Sequence, residues 1–262
     1  MEGLLHKMKV KLEDDVVYSL HLSESISMND LVGRSISLTW NGTIICSVCE
    51  KQTKKSFGDG LCYSCFMNAP QAAECIIRPE LCRAHLGEGR DPDWEEANHN
   101  QPHVVYLAAS DCVKVGVTRE TQVPTRWIDQ GASSAIRIAE TPNRYEAGRL
   151  EVELKQFFTD KTNWQRMLKN EVDESIDLVE EKWTLHDQLP SDLTTYFSEN
   201  DEIIEINYPV LEFPEKVKSM SFDKTPEIVG KLMGIKGQYL LFDEGRVLNI
   251  RKHSGYYVEI KG

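Results

Sequence analysis

VVYLAASDCVKVGVTR, Val104 to Arg119, is the stretch on which the fold turns. VVYLA and VKVGVT are short apolar runs joined by Ser110 and Asp111, the pattern of a tight hairpin. In the second run Val113, Val115 and Val117 share one face while Lys114, Gly116 and Thr118 share the other, because side chains alternate along a strand. Tyr106 lies in the first run, and Arg119 ends the second. Pro124 suits the first position of a helix, which places Arg126 and Trp127 in its opening turn and Gln130-Gly131 at its end. Ala135 to Ala139 reads as a third strand.

Asn143 reads as the N-cap of the next helix, with Glu146 three residues on in a variant capping box. Ala147, Leu150, Leu154, Phe157 and Phe158 recur at helical spacing and form a buried stripe as far as Phe158. At about 100° per residue, Glu151 borders that stripe while Glu153 faces solvent. An unpaired buried carboxylate is costly, so Glu151 implies a basic side chain or a divalent cation beside it. A second amphipathic helix is expected from Thr162 to Trp183, with Trp164, Leu168, Val172, Ile176 and Val179 inward. Tyr106, Arg126 and Glu151 on three successive elements are the parts of a metal-assisted phosphodiester site.

Upstream, Cys46-x2-Cys49 and Cys62-x2-Cys65 are separated by twelve residues, which is the four-cysteine spacing of a zinc ribbon or finger. Such a site is closed, so its ion would contribute folding free energy rather than an open catalytic position. A second cluster follows. Cys82-x2-His85 has knuckle spacing, and Cys75, His99 or His103 could complete a site around a second zinc. The intervening GEGRDPDWEE run is polar and rich in turn residues, and would need such a staple to be ordered. Cys112 stands alone and reads as a small core residue.

The 262 residues suffice for more than one domain, and 40% hydrophobic with 27% charged residues is ordinary for a globular chain. No apolar run approaches the ~18 residues that cross a membrane, and MEGLLHKMKVKLEDD is too charged for a signal peptide. A cytoplasmic location is therefore expected, where seven cysteines point to metal ligands before disulfides. The net charge of −12 argues against a nucleic-acid partner at face value. Its distribution changes that inference. Glu171 to Glu205 holds twelve acidic side chains and one basic, whereas Val104 to Lys169 holds ten basic and eight acidic.

Both ends read as β structure. Strands are expected near 8–12, 16–22, 34–40 and 43–46, with Asn41-Gly42 as a type I′ hairpin turn. Near the C-terminus VGKLMGIKGQYLLF, RVLNIRK and YYVEIK read as a three-stranded meander. The expected class is α+β. An N-terminal β segment (1–45), a zinc-binding module (46–103), a central module with an acidic helical extension (104–202) and a C-terminal β segment (203–262) follow in order. The two terminal segments are expected to form one β-barrel-like domain.

The central stretch resembles the GIY-YIG nuclease superfamily, in its branch with a K-(V/I)-G-x-T second strand, here Lys114 to Thr118. More closely, CSVC, CYSCF, RPELCRAH, HVVYLA, VKVGVTR, PTRWIDQGA, EAGRLEVELK, DKTNW and GIKGQYL resemble an uncharacterised prokaryotic zinc-cysteine family, the domain of unknown function numbered 2797. The superfamily resemblance implies that Tyr106 handles the nucleophile, Arg126 stabilises phosphorane charge and Glu151 binds Mg²⁺ or Mn²⁺. Lys114 stands at or beside the second motif tyrosine, and Trp127 and Gln130 occupy the helix where a histidine is usual. It further implies divalent-metal-dependent cleavage of DNA or RNA. The alternatives are a non-catalytic nucleic-acid-binding module that uses Lys114, Arg119, Arg126 and the zinc knuckles on phosphates, and a protein-interaction module whose acidic segment covers the basic cleft.

Overall fold

A computed structural model describes residues 1–158, 163–173 and 175–262. The chain is mixed α+β and divides into two units, Met1–Met67 with Ile128–Gly131 and Ile206–Gly262, and Asn68–Trp127 with Ala132–Glu205. No described helix is long and apolar enough to cross a membrane.

The first unit draws its sheet from both ends of the chain. Seven strands lie in the spatial order Glu2–Leu4, Tyr256–Lys261, Ser35–Ile44, Glu227–Lys236, Tyr239–Phe242, Arg246–Asn249 and Lys218–Ser219. A separate sheet holds Lys9–Lys11, Val17–His21 and Ser25–Ser27. Neither sheet closes, so the terminal segments share an open sheet rather than a barrel.

Two local expectations fail for identifiable reasons. Asn41-Gly42 does not turn a hairpin. Ser35–Ile44 is a single strand, and opposite it Trp40 pairs with Val258 while Ile44 pairs with Tyr256. The extra residues bulge, held by the Thr43 N–H donating to Asn41 Oδ1 at 2.9 Å and Trp40 Nε1 donating to the Thr43 carbonyl at 2.8 Å. Likewise, the C-terminal run is not one meander of three long strands. It breaks at Gly237, so that Glu227–Lys236 and Tyr239–Phe242 form a hairpin, with Arg246–Asn249 beside it. Tyr256–Lys261 leaves this group and pairs with Ser35–Ile44, where the buried Tyr256, Val258 and Ile260 lie opposite Ile44, Trp40 and Leu38.

The second unit is built on Val113–Arg119, His103–Ala109, Ser134–Thr141 and Ile203–Glu205, antiparallel and adjacent in that order. Alternation divides the sheet into two faces. Val105, Leu107, Ala109, Ile136 and Ile138 pack beneath Ala147, Leu150 and Leu154 of the helix Arg144–Lys155, together with Leu178 and Leu185 of the helix Leu178–His186. Asn143 caps the first of these, its Oδ1 accepting from the Glu146 N–H at 3.0 Å. On the opposite face Tyr106 packs against Trp127, with ring centroids 5.6 Å apart.

The long helix expected from Thr162 is interrupted; Thr162 itself lies outside the described residues. Trp164–Leu168 ends at Asn170, whose φ of 58° no helix propagates. Asp177 then caps a new helix by accepting from the Val179 and Glu180 N–H groups.

Leu150 is fully buried in this layer; Glu153, expected to face solvent, is half-buried, and Gln156 at the end of the same helix is exposed. Leu150→Ala is therefore expected to lower stability by about 2–5 kcal/mol in urea denaturation, and Gln156→Ala to change it by less than about 0.5 kcal/mol. Equal effects would contradict the packing described.

Candidate metal centres and the adjoining arginine site

The strand Ser35–Ile44 leads directly into the first knuckle. The Glu50 N–H donates to the Cys46 carbonyl at 3.0 Å and the Cys46 N–H to the Lys51 carbonyl at 2.9 Å, with Glu50 at a positive φ of 57° closing the turn. The second knuckle enters the helix Tyr63–Asn68, where the Phe66 N–H donates to the Cys62 carbonyl at 2.9 Å. Cys49 and Cys62 sulfurs are 3.8 Å apart, and all four thiol sulfurs lie within 4.8 Å of one another. Tetrahedral coordination at a Zn–S length of ~2.3 Å requires sulfur edges of ~3.8 Å. Cys46, Cys49, Cys62 and Cys65 could thus hold one zinc ion.

Backbone dipoles prepare the site for negative sulfur. The Cys62 N–H approaches Cys46 Sγ at 3.2 Å and the Cys65 N–H approaches Cys62 Sγ at 3.5 Å. Burial pushes the Cys46 thiol up, but N–H groups of Cys49, Cys62 and Val48 bring it down to about 6. Cys65 goes the other way, to about 12, through desolvation and then the neighbouring sulfurs. Four thiolates this close repel one another, and a bound cation is what lets all four ionise together.

The second cluster is assembled from three short elements. Cys75 lies in the turn Glu74–Ile76, Cys82 follows the turn Pro79–Leu81, and His99 ends the helix Pro92–His99. His99 Nδ1 is 3.9 Å from Cys75 Sγ and 3.6 Å from Cys82 Sγ, and all three side chains are buried. A sulfur and a nitrogen on one tetrahedral zinc are ~3.6 Å apart. Glu95 lies one helical turn before His99, with Oε2 3.9 Å from the same Nδ1. Cys82 is held down at about 4, first by the Cys75 thiol and against the effect of burial, whereas Cys75 is raised.

His85 and His103 stand outside this group of three. His85 stacks on Tyr145 with ring centroids 4.6 Å apart, and its Nδ1 is buried with no hydrogen-bond partner among the described residues. His103 begins the central strand, its Nδ1 2.7 Å from the Gln101 carbonyl. Burial lowers its pKa to about 4. His99 belongs to the cluster because the helix Pro92–His99, capped by Asp91, ends beside the two cysteines.

The residues expected to perform phosphodiester chemistry are distributed differently. Tyr106 is 1% exposed, and its ring crosses Gly116, where a Cβ would collide with the phenol. The helix bearing Glu151 packs on the other face of the sheet. Lys114 Nζ is 3.8 Å from Asp111, and Arg119 Nη1 donates to Asn98 Oδ1 at 2.6 Å. Arg126 is half-buried and has no ion-pair or hydrogen-bond partner among the described residues. Glu151 is 7% exposed, with Lys155 Nζ 3.2 Å from Oε2. That oxygen is nevertheless without a well-aligned hydrogen bond, so the two groups meet as an ion pair of charges rather than through a directed bond.

Arg144 was not singled out in the sequence and is central here. Its Nε donates to the Cys75 carbonyl at 2.9 Å and its Nη2 to the Ile76 carbonyl at 2.8 Å. Burial lowers its pKa, the Cys75, Cys82 and Glu151 charges oppose that, and Arg126 adds to it. Arg144, Arg126 and Glu151 therefore share one electrostatic neighbourhood beside the second cysteine cluster. One signal pointed to it: a cation in the first turn of a helix opposes the macrodipole unless something else holds it.

A mixed α+β chain with two cysteine-lined candidate metal centres is thus the class defined by fold and site. The family model described as Protein of unknown function (DUF2797) matches residues 33–258, and the chain belongs to this family. No curated protein and no solved structure matches it.

Protein never exposed to chelator is expected to carry about two zinc ions per chain by elemental analysis, with Cys49→Ser and Cys82→Ser each losing one. Less than about one per chain would contradict both centres. Desolvation raises the Glu151 pKa above its usual 4.5, with Lys155 opposing it. A folded-state value above the unfolded one means stability that is fully present at low pH and lost as pH rises through the folded value. Glu151→Gln is therefore expected to stabilise the protein at pH 7 by about 1 kcal/mol, with the difference shrinking below about pH 4.5. Destabilisation at pH 7 would show that the Lys155 pair outweighs desolvation.

Proposed function

We propose that this chain is a zinc-stabilised nucleic-acid-binding protein on a GIY-YIG-like scaffold, with the Arg126–Arg144 neighbourhood meeting phosphate. The observation that carries this is Arg126, a half-buried guanidinium without an ion-pair partner among the described residues, close enough to Arg144 for its charge to be felt there. Two guanidiniums in one neighbourhood of a chain with net charge −12 are an uneven distribution that a phosphate would relieve. Zinc at Cys46, Cys49, Cys62 and Cys65 would fix the first unit. Zinc at the Cys75, Cys82 and His99 cluster would hold the loop whose carbonyls orient Arg144.

A second reading is divalent-metal-dependent cleavage of DNA or RNA, with Glu151 as the Mg²⁺ or Mn²⁺ ligand. The buried Glu151 oxygen without an aligned hydrogen bond favours it. Against it, Tyr106 is shut behind Gly116, on the sheet face away from the helix of Glu151, so a nucleophile would lack the tyrosine that the superfamily pattern supplies.

Labelled DNA and RNA test both. Binding is expected to weaken with salt, and Arg126→Ala to weaken it by about fivefold to tenfold at moderate salt. Affinity independent of salt, or no binding at all, would defeat the proposal. Cleavage with Mg²⁺ or Mn²⁺ that disappears in Glu151→Ala would replace it with the second reading.

A further inference from the structure

Beside the four-cysteine centre, the first unit presents aromatic rings to solvent. Tyr63 is 63% exposed and Phe66 39% exposed, on the short helix that carries Cys65. Both lean on Phe57. The Phe57 and Tyr63 centroids are 5.6 Å apart at 62°, and those of Phe57 and Phe66 5.7 Å apart at 29°. Phe57 is fixed in turn by a reciprocal pair of backbone hydrogen bonds with Leu61, at 2.8 and 2.9 Å. The rings are therefore held by one another and by the knuckles, rather than swinging free.

The same surface is locally basic in an acidic chain. Lys51, Lys54 and Lys55 are exposed, and Lys55 Nζ sits 5.2 Å from the Phe57 ring centroid. Of the two nearby carboxylates, Glu50 is exposed, while Asp59 is already engaged by Arg251 Nη2 at 2.6 Å. Exposed aromatic faces interleaved with cations are what a single strand of nucleic acid needs: bases stack on rings and phosphates meet ammonium groups. A duplex offers no unstacked base to such rings. A second copy of a chain with net charge −12 would also have to overcome net repulsion.

We propose that Tyr63 and Phe66, backed by Phe57 and flanked by Lys54 and Lys55, form a stacking platform for single-stranded nucleic acid. The proposal rests on the nucleic-acid-binding function above and names its substrate class. It also gives the four-cysteine centre a role beyond folding, because an ion there would pre-order the rings and reduce the entropy lost on binding.

Fluorescence anisotropy with a labelled oligothymidylate and with a duplex of equal length tests it. The single strand is expected to bind tighter than the duplex. Tyr63→Ala with Phe66→Ala is expected to weaken single-strand binding by about thirtyfold or more, with zinc content and circular dichroism unchanged, as suits exposed side chains. Lys54→Gln with Lys55→Gln is expected to make the slope of log affinity against log salt shallower by about 1.4, ~0.7 for each phosphate no longer neutralised. Binding that survives the aromatic double substitution, or a preference for duplex, overturns the platform while leaving the broader function standing. No binding of either probe overturns that function and the platform with it. Light scattering that shows a wild-type dimer made monomeric by the aromatic substitutions would assign the patch to self-association instead, and also overturns the platform.

Discussion

Arg144 ties the second unit together. From the first turn of the helix Arg144–Lys155 its guanidinium reaches the carbonyls of Cys75 and Ile76, anchoring the loop that contains the second cysteine cluster. Along the same helix Gly148 has no side chain, and a Cβ there would collide with the backbone of Pro79 and Glu80. The two features act in concert. Gly148 lets the turn Pro79–Leu81 lie against the helix, and Arg144 fixes its neighbour. Between them Cys75 and Cys82 come within reach of His99. The opposite side of the helix supplies Ala147, Leu150 and Leu154 to the sheet core.

This arrangement also sets the electrostatics of the adjoining site. A guanidinium between backbone carbonyls is partly satisfied without losing its charge, so it still acts on Glu151 and feels the charge of Arg126. Glu151 sits where burial opposes its ionisation and Lys155 favours it. Within that neighbourhood Glu151 is paired with Lys155, whereas Arg126 has no ion-pair partner among the described residues. Metal binding at the cysteine cluster would be felt there through the Cys75 carbonyl as well as through space.

Much of this was legible in the sequence wherever a local rule operates alone. The CxxC pairs located the first centre by spacing, and alternation in VKVGVT gave the correct faces. Asn143 capped its helix, and the helical position of Glu151 correctly implied burial beside a partner, found here as Lys155. What could not be read depends on partners distant in the chain. Asn41-Gly42 carries a hairpin signal, but the neighbouring strand Tyr256–Lys261 keeps Ser35–Ile44 continuous and absorbs the pair as a bulge. His99 rather than His85 or His103 joins Cys75 and Cys82, because the loop packing around Arg144 and Gly148 decides which imidazole arrives. Tyr106 reads as a site residue by its place in the first strand, yet Trp127 covers it on a buried sheet face.

Two zinc ions of different ligand sets, one closing the knuckles and one stapling the loop that Arg144 grips, are the central claim. X-ray absorption at the zinc edge tests it most directly, since it counts ligand types without need of a substrate. With the four-cysteine centre and a second centre of Cys75, Cys82 and His99 completed by one nitrogen or oxygen ligand, the average shell should hold about three sulfurs at ~2.3 Å and one nitrogen or oxygen at ~2.0–2.2 Å. An all-sulfur shell would contradict the second centre, and a shell dominated by nitrogen or oxygen would contradict the first.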